Sequence, residues 1–387
     1  MKKKAIRLVT LLFIVFVGIF SIMNMHTKKE AAPGNLRKGV TLDIARKYYS
    51  KEVIKGFVDV LADNGGTFLQ LHMSDDQNVG IEMALIHQTP ENAYQEDGRW
   101  ISNTTGMPFL SKAELSEIVA YAQTRDIAII PEIDTPAHMQ KILEVLKTDR
   151  PEIYKEIALP ENDERNFNTI DFSKQASIDF AKLIIEEYIP IFKNQSRRFF
   201  HIGLDEVVLL PIQSNPSLVN YANQLNAFIK EQGFTTRMWN DGVTIADVNQ
   251  YDKDIQITYW SHTGELNVHN KTEKDWLGNR FIASPEDFLK NDFKILNYNG
   301  YYLYFLPSDK YFERSNYDYT INDMKENWNL DALYLNSLKH TEHVKNIIGS
   351  SLTIWGEAAY DYTDEEILAQ TTEFIIAYLQ MPHSEAH

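Results

Sequence analysis

The chain has 387 residues, 44% of them hydrophobic and 12% aromatic, which is enough to bury one large core. A formal charge of −16 excludes a binder of phosphate backbones, because that mode needs a basic face; nucleic acid is therefore not expected as a partner. Cysteine is absent, so there is no disulfide framework, thiol nucleophile or lipid-bearing cysteine, and any catalysis must use oxygen and nitrogen groups.

The opening MKKKAIRLVTLLFIVFVGIFSIMNM has a basic start followed by an apolar run from Leu8 to Met25, broken only by Thr10, Gly18, Ser21 and Asn24. Residues 1–27 thus read as a signal anchor or as a signal peptide cut near Ala31–Ala32. Either form places the rest of the chain outside the cell, secreted or tethered, with this segment as its only membrane contact. A polar spacer covers residues 28–38, and one domain follows from 39 to 387.

Beyond the spacer, β-branched and aromatic runs alternate with helical patterns. The runs are Gly39–Ala45, Thr67–Ser74, Ile127–Asp134, Arg198–Glu206, Thr235–Gly242, Ile255–Ser261, Lys294–Asn299 and Ser351–Glu357. Helical spacing begins at Ser50, Ser111, Ser177, Pro216 and Thr363; the first of these patterns has a serine N-cap and glycines just past its end. Eight strands interleaved with helices predict an α/β fold with a parallel sheet, and eight strands close a single (β/α)8 barrel.

In such a barrel, functional residues gather at the C-terminal strand ends. Those ends carry Arg46; His72 with Asp75 and Asp76; Glu132, Asp134 and His138; and Asp205 with Glu206. The later ends carry Trp239 with Asp241, Trp260, Tyr298 to Tyr304, and Trp355 with Glu357. Arg46 alone would read as a surface ion-pair partner and His138 alone as a helix-start histidine. His72 reads as a structural histidine in a strand. Repetition of such groups around the ring favours a site. If Asp205 ends its strand and Glu206 begins the turn, strand alternation breaks and both side chains lean over the mouth.

Acids beside tryptophans and tyrosines suit sugar binding, since aromatic rings stack on pyranose faces while charged groups take the hydroxyls. Adjacent carboxylates fit the spacing of an ordinary acid and nucleophile pair poorly. They fit substrate-assisted hydrolysis, in which one holds a 2-acetamido group and the other protonates the leaving oxygen.

The ordered stretches LHMSDDQNVGIE, PEIDTPAHM, HIGLDE, RMWNDG, ITYWS and LTIWGE resemble the motifs of family-20 glycoside hydrolases, the β-N-acetylhexosaminidases. The resemblance runs from about Gly39 to the C-terminus and implies the following roles. Glu206 would be the general acid and base, and Asp205 would orient the acetamido nitrogen. Asp75 and His138 would form a relay to Glu206. Arg46 and Glu357 would hold ring hydroxyls, Trp239, Trp260 and Trp355 would wall the pocket, and Tyr304 would bond the acetamido oxygen. No cofactor is implied. The implied partner is a β-linked N-acetylglucosamine oligo- or polysaccharide, above all the poly-β-1,6-N-acetylglucosamine of biofilm matrix. Burial of Glu206 against the tryptophans would raise its proton affinity.

One position departs from the family pattern: Leu204 stands where the motif has a second glycine. That site demands positive φ or close packing, or else points into the barrel wall where leucine can be absorbed. Two further readings compete with the first: an exo-β-N-acetylhexosaminidase on chitin fragments or glycans, and a non-catalytic tethered sugar-binding protein. The stretch HMSDD raises a barrel metallohydrolase, but no second histidine stands at ligand spacing, so no metal is expected. Trp100 and Trp276 lie away from the strand ends and read as packing residues.

Overall fold

The apolar runs pair side by side around a ring. The structure, a computed structural model, describes residues 37–207, 213–260, 281–333 and 344–381. Its barrel strands are β1 (Arg37–Asp43), β2 (Phe68–His72), β3 (Ala128–Thr135), β4 (Phe199–Gly203), β5 (Thr235–Trp239), β6 (Gln256–Tyr259), β7 (Lys294–Asn297) and β8 (Ile347–Ile354). Each pairs in parallel with the next, and β8 returns to β1 from Arg37↔Gly349 to Leu42↔Ile354, so the (β/α)8 barrel closes. Closure also explains why β1 and β8 begin earlier than their apolar runs: each extends the ladder of the other. The proposed export segment and Trp276 lie outside the described residues. No helix among the described residues is long and apolar enough to cross a membrane.

Strand alternation sorts the barrel residues into two cores. Phe200 and Ile202 of β4 face outward to the helices, where they join Phe57, Leu61 and Ile184. Phe199 of the same strand faces inward, with Phe68, Leu296, Tyr298, Trp239 and Trp355 filling the lumen. The Arg237 guanidinium, also fully buried, lies over the rings of Phe68 and Phe199 at 4.8 and 4.4 Å.

Helix starts follow local chemistry. The Ser50 hydroxyl accepts the Val53 N–H, and Ser111 with Glu114 and Thr363 with Glu366 form capping boxes. Several elements lie outside the runs read from the sequence. One is the three-stranded antiparallel sheet Ala93–Glu96, Arg99–Ser102 and Pro108–Phe109 in the loop after β2. Others are the helices Gln140–Asp149 and Pro151–Ile157, and the largely polar helix Arg314–Asn327. A short strand, Tyr304–Phe305, pairs with Thr353 and Ile354 of β8.

Lys38, at the start of β1, is buried, and its Nζ reaches the carbonyl oxygens of Leu379 and Met381 at 3.1 and 2.5 Å. It thereby caps the helix Asp364–Leu379, placing a cation where the carbonyl dipoles point. Burial pushes its pKa down to about 8.

Candidate active site

The end of β4 is shaped by three residues with left-handed backbone: Gly203 at φ 78°, Leu204 at φ 75° and Glu206 at φ 51°. Strand alternation ends there, as the two adjacent acids require. A side chain at Gly203 would overlap the Asp134 carboxylate and come within 2.8 Å of the Asp134 Cα, so only glycine lets β3 approach the turn. Leu204 adopts the positive φ expected of a glycine. Its side chain is fully buried in the outer core, and its N–H donates to the Thr135 carbonyl at 3.0 Å. The isobutyl group is therefore absorbed by the wall and does not crowd the pocket. The backbone conformation costs about 1–2 kcal/mol, which the buried side chain offsets.

Asp205 and Glu206 meet different surroundings. Asp134 is fully buried, and its carboxyl group lies within 4.8 Å of that of Asp205. Burial first, and then the Asp205 charge, push the Asp134 pKa well above the usual carboxylate range. Burial also raises Asp205, to about 6, although His138 pulls the other way. Asp134, the more deeply buried of the two, is the acid that keeps the proton.

Glu206 has a side chain 50% exposed, so the burial against tryptophans expected from the sequence is not present. Its Oε2 lies 3.4 Å from His138 Nε2, which is 3.8 Å from Asp205 Oδ2. Burial opposes charge on His138, but the Asp205 charge and the nearby Asp76 and Glu206 carboxylates outweigh it and hold the imidazole pKa well above its ordinary value. His138 is thus a buried cation between Asp76 on one side and Asp205 and Glu206 on the other.

The relay differs in one member from the sequence expectation. His138 Nδ1 is 3.4 Å from Asp76 Oδ2 and 3.9 Å from Asp75 Oδ2. Asp75 is drawn instead to Arg46 Nη2 at 2.6 Å and His72 Nε2 at 3.0 Å. Arg46 also pairs through Nη1 with Asp43 at 2.9 Å and lies over the Trp355 ring at 5.6 Å. These carboxylates raise the Arg46 pKa against its burial. Glu357 stands in the field of Arg46, and burial raises its pKa.

His72 is more than a packing residue. It is buried between Asp75 and Glu132, with Nδ1 3.2 Å from Glu132 Oε1. Burial works against its charge, yet Glu132 and Asp75 raise its pKa to about 10. Glu132 in turn, despite burial, is drawn down to about 2 by His201 and His72.

Aromatic rings line the other side. Trp260 and Tyr304 stack at 6.0 Å with 22° between planes, and Tyr304 lies 5.7 Å from Trp355. Tyr301 is turned away, its hydroxyl donating to Asp323 at 2.9 Å, and Tyr302 is buried. Trp239 is 1% exposed; its Nε1 donates to Glu132 at 2.8 Å and its ring is 6.3 Å from that of Trp355. It ends its strand and packs in one cluster with Trp355, against which Trp260 and Tyr304 lie.

Asp241 was named at its strand end but given no role. Its Oδ2 accepts the Glu206 N–H at 2.7 Å, and its Oδ1 accepts Trp260 Nε1–H at 3.2 Å. One carboxylate therefore fixes both the catalytic turn and one aromatic wall. The signal available in the sequence was the run RMWNDG, which puts an acid just past β5.

Three sets of ring nitrogens and carboxylate oxygens lie within 4.8 Å of one another: His72 with Asp75 and Asp134, Asp75 with Asp76 and His138, and Asp134 with His138 and Asp205. In each set the imidazole stands beside at least one carboxylate, His72 beside Asp75 at 3.0 Å and His138 beside Asp76 at 3.4 Å and Asp205 at 3.8 Å.

A buried acid pair, a histidine relay and an aromatic wall, all at the C-terminal mouth of a barrel, are the arrangement of a glycosidase. The chain belongs to glycosyl hydrolase family 20, whose catalytic domain matches residues 37–369. Among solved structures it is similar to dispersin B, with 36% identity and a TM-score of 0.80, covering 89% of this chain and 99% of that one. The lacto-N-biosidase of Bifidobacterium bifidum is 22% identical over 96% of this chain, and the N,N'-diacetylchitobiase of Vibrio harveyi is 25% identical over 60%. The chain spans only 31% and 27% of the lengths of those two relatives.

Proposed function

We propose that the protein hydrolyses β-linked N-acetylglucosamine with retention, using the substrate's own acetamido group as nucleophile. The observation that supports this most is the close approach of the buried Asp134 to Asp205 beside a separate, half-exposed Glu206. Ionised Asp205 accepts the acetamido N–H, and Tyr304 donates to the acetamido oxygen. That oxygen attacks the anomeric carbon, the glycosidic bond breaks, and Glu206 gives its proton to the leaving oxygen. Glu206, now a carboxylate, takes a proton from water, whose oxygen opens the oxazolinium ring; two inversions give retention. Arg46 and Glu357 hold ring hydroxyls, and Trp260 and Trp355 flank the sugar. The burial of Leu204 in the wall favours turnover over the non-catalytic sugar-binding reading.

The substrate we propose is poly-β-1,6-N-acetylglucosamine of biofilm matrix. The likeness to dispersin B supports it, as does the charge of −16, which complements the ammonium groups of partly deacetylated polymer. Such a substrate lies outside the cell, where residues 1–27 would deliver or tether the enzyme. A second reading, exo-action on β-1,4-linked chitin fragments, draws on the likeness to the diacetylchitobiase. The test is product release from β-1,6- and β-1,4-linked oligomers, with Glu206→Gln as control. Turnover of the β-1,6 series, lost by at least a hundredfold in the variant, is the expected result. Turnover of the β-1,4 series alone would replace the first substrate with the second.

A further inference from the structure

Glu206 fixes the side of the pocket on which the departing sugar lies, because the leaving oxygen must reach its carboxyl group. The segment beside that carboxyl group is the loop after β3. Arg165 Nη1 donates to the carbonyl of Val207, the residue after Glu206, at 3.4 Å. Three residues on, Asn168 Nδ2 donates to Asp76 Oδ2 at 3.2 Å, and Asp76 is the acid nearest His138. The loop is also braced internally: Asp163 takes both Arg165 Nε at 3.0 Å and Nη2 at 2.7 Å, and the Asn168 carbonyl accepts the Met139 N–H at 2.9 Å.

Between these two anchors stands Phe167, 56% exposed. A single exposed aromatic on a surface needs no explanation. This one is held by a loop pinned to the general acid on one flank and to its relay on the other. In the hydrolytic reading the stacked Trp260 and Tyr304 flank the sugar being attacked, which leaves the departing sugar to other residues.

Building on the hydrolytic reading above, we propose that Phe167 is the platform for the leaving-group sugar, stacking on the apolar face of the N-acetylglucosamine unit that follows the scissile bond. The ring is presented in advance on a braced loop, so little ordering is lost when the sugar binds. The bound polymer therefore has an aromatic contact on each side of the bond that breaks, and oligosaccharides are favoured over glycosides with small leaving groups.

The test compares Phe167→Ala and Phe167→Trp with the parent on N-acetylglucosamine oligomers and on methyl β-N-acetylglucosaminide, whose leaving group has no ring to stack. Phe167→Ala is expected to lower kcat/KM about five- to tenfold on the oligomer, mainly through KM, and to leave the methyl glycoside unchanged; Phe167→Trp retains the preference. An equal loss on both substrates, or no loss on either, overturns the proposal. If only β-1,4 oligomers are cleaved, the linkage proposed above fails while the Phe167 comparison is read on that series. If nothing is cleaved, calorimetric binding of the disaccharide against the monosaccharide decides: Phe167→Ala must abolish the disaccharide's advantage, and an unchanged ratio counts against the platform.

Discussion

The Asp134 and Asp205 carboxyl groups meet within 4.8 Å inside the barrel mouth, and Gly203, which carries no side chain, leaves the room that the Asp134 carboxyl occupies. Asp134 holds the proton, and Asp205 is the base beside it. An amide can donate in the same way. Asp134→Asn is therefore expected to keep kcat within about tenfold of the parent, whereas Asp134→Leu, which leaves Asp205 without its donor, costs about a hundredfold. Steady-state rates for the two variants check this; equal losses would show that the Asp134 proton is not what matters.

In the proposed reaction Asp205 must be ionised to accept the acetamido N–H, and its pKa is raised to about 6. The rate should therefore fall as pH drops through about 6, since the protonated form increases below that point. Because Asp134 is neutral in the parent, Asp134→Asn leaves this acid limb in place. A limb moved clearly lower in the variant would mean that Asp134 carries charge.

Leu204→Gly relieves the left-handed backbone but removes a buried side chain. The first effect is worth about 1–2 kcal/mol and the second costs about 2–5 kcal/mol, so a net loss of about 2 kcal/mol is expected. Because the side chain faces the wall, kcat/KM should change by less than about threefold. Denaturant unfolding and kinetics on one preparation separate the two effects. A large gain in activity would place the leucine in the pocket after all.

Asp241 accepts from both the Glu206 backbone and the Trp260 indole, so its removal strands two donors. Asp241→Ala is expected to reduce kcat about ten- to a hundredfold. Asp241→Asn, which keeps one acceptor oxygen, should recover part of that. The intrinsic fluorescence of Trp260 reports the loosened wall, measured as a difference against a Trp260→Phe background.

His72 links stability to pH. Its pKa rises from 6.5 unfolded to about 10 folded, so the stabilisation is complete below 6.5 and is lost as pH climbs towards 10, where the folded state gives up its proton. Thermal melts between pH 6 and 10 should show that decline, and His72→Gln, with Asp75 and Glu132 left short of a cation, should flatten it while lowering stability by about 3–5 kcal/mol.

The strand runs were legible because alternation and β-branching survive burial on both faces, and each of the eight recurs at its place in the ring. Site positions were legible for the same reason: strand ends are countable. Pairing across strands was not. Whether His138 meets Asp75 or Asp76 depends on which acid Arg46 has already drawn away, and nothing local in HMSDD decides that. The roles of Asp134 and Asp241 likewise arise from contacts 71 and 35 residues distant in sequence, with Asp205 and Glu206. The polar helix Arg314–Asn327 escaped notice because its buried stripe is only Tyr317, Ile321 and Met324 in an otherwise polar sequence.

The clasp of Lys38 on the last helix sets both ends of the described barrel side by side at the N-terminal rim of the strands, opposite the sugar-binding mouth. Coupling the protein to a bead, a fusion partner or a surface through either end of the described barrel would leave the cleft pointing outward. A circularly permuted version, with those neighbouring ends joined and the chain reopened in a helical connection, would keep every acid and aromatic of the mouth where it is.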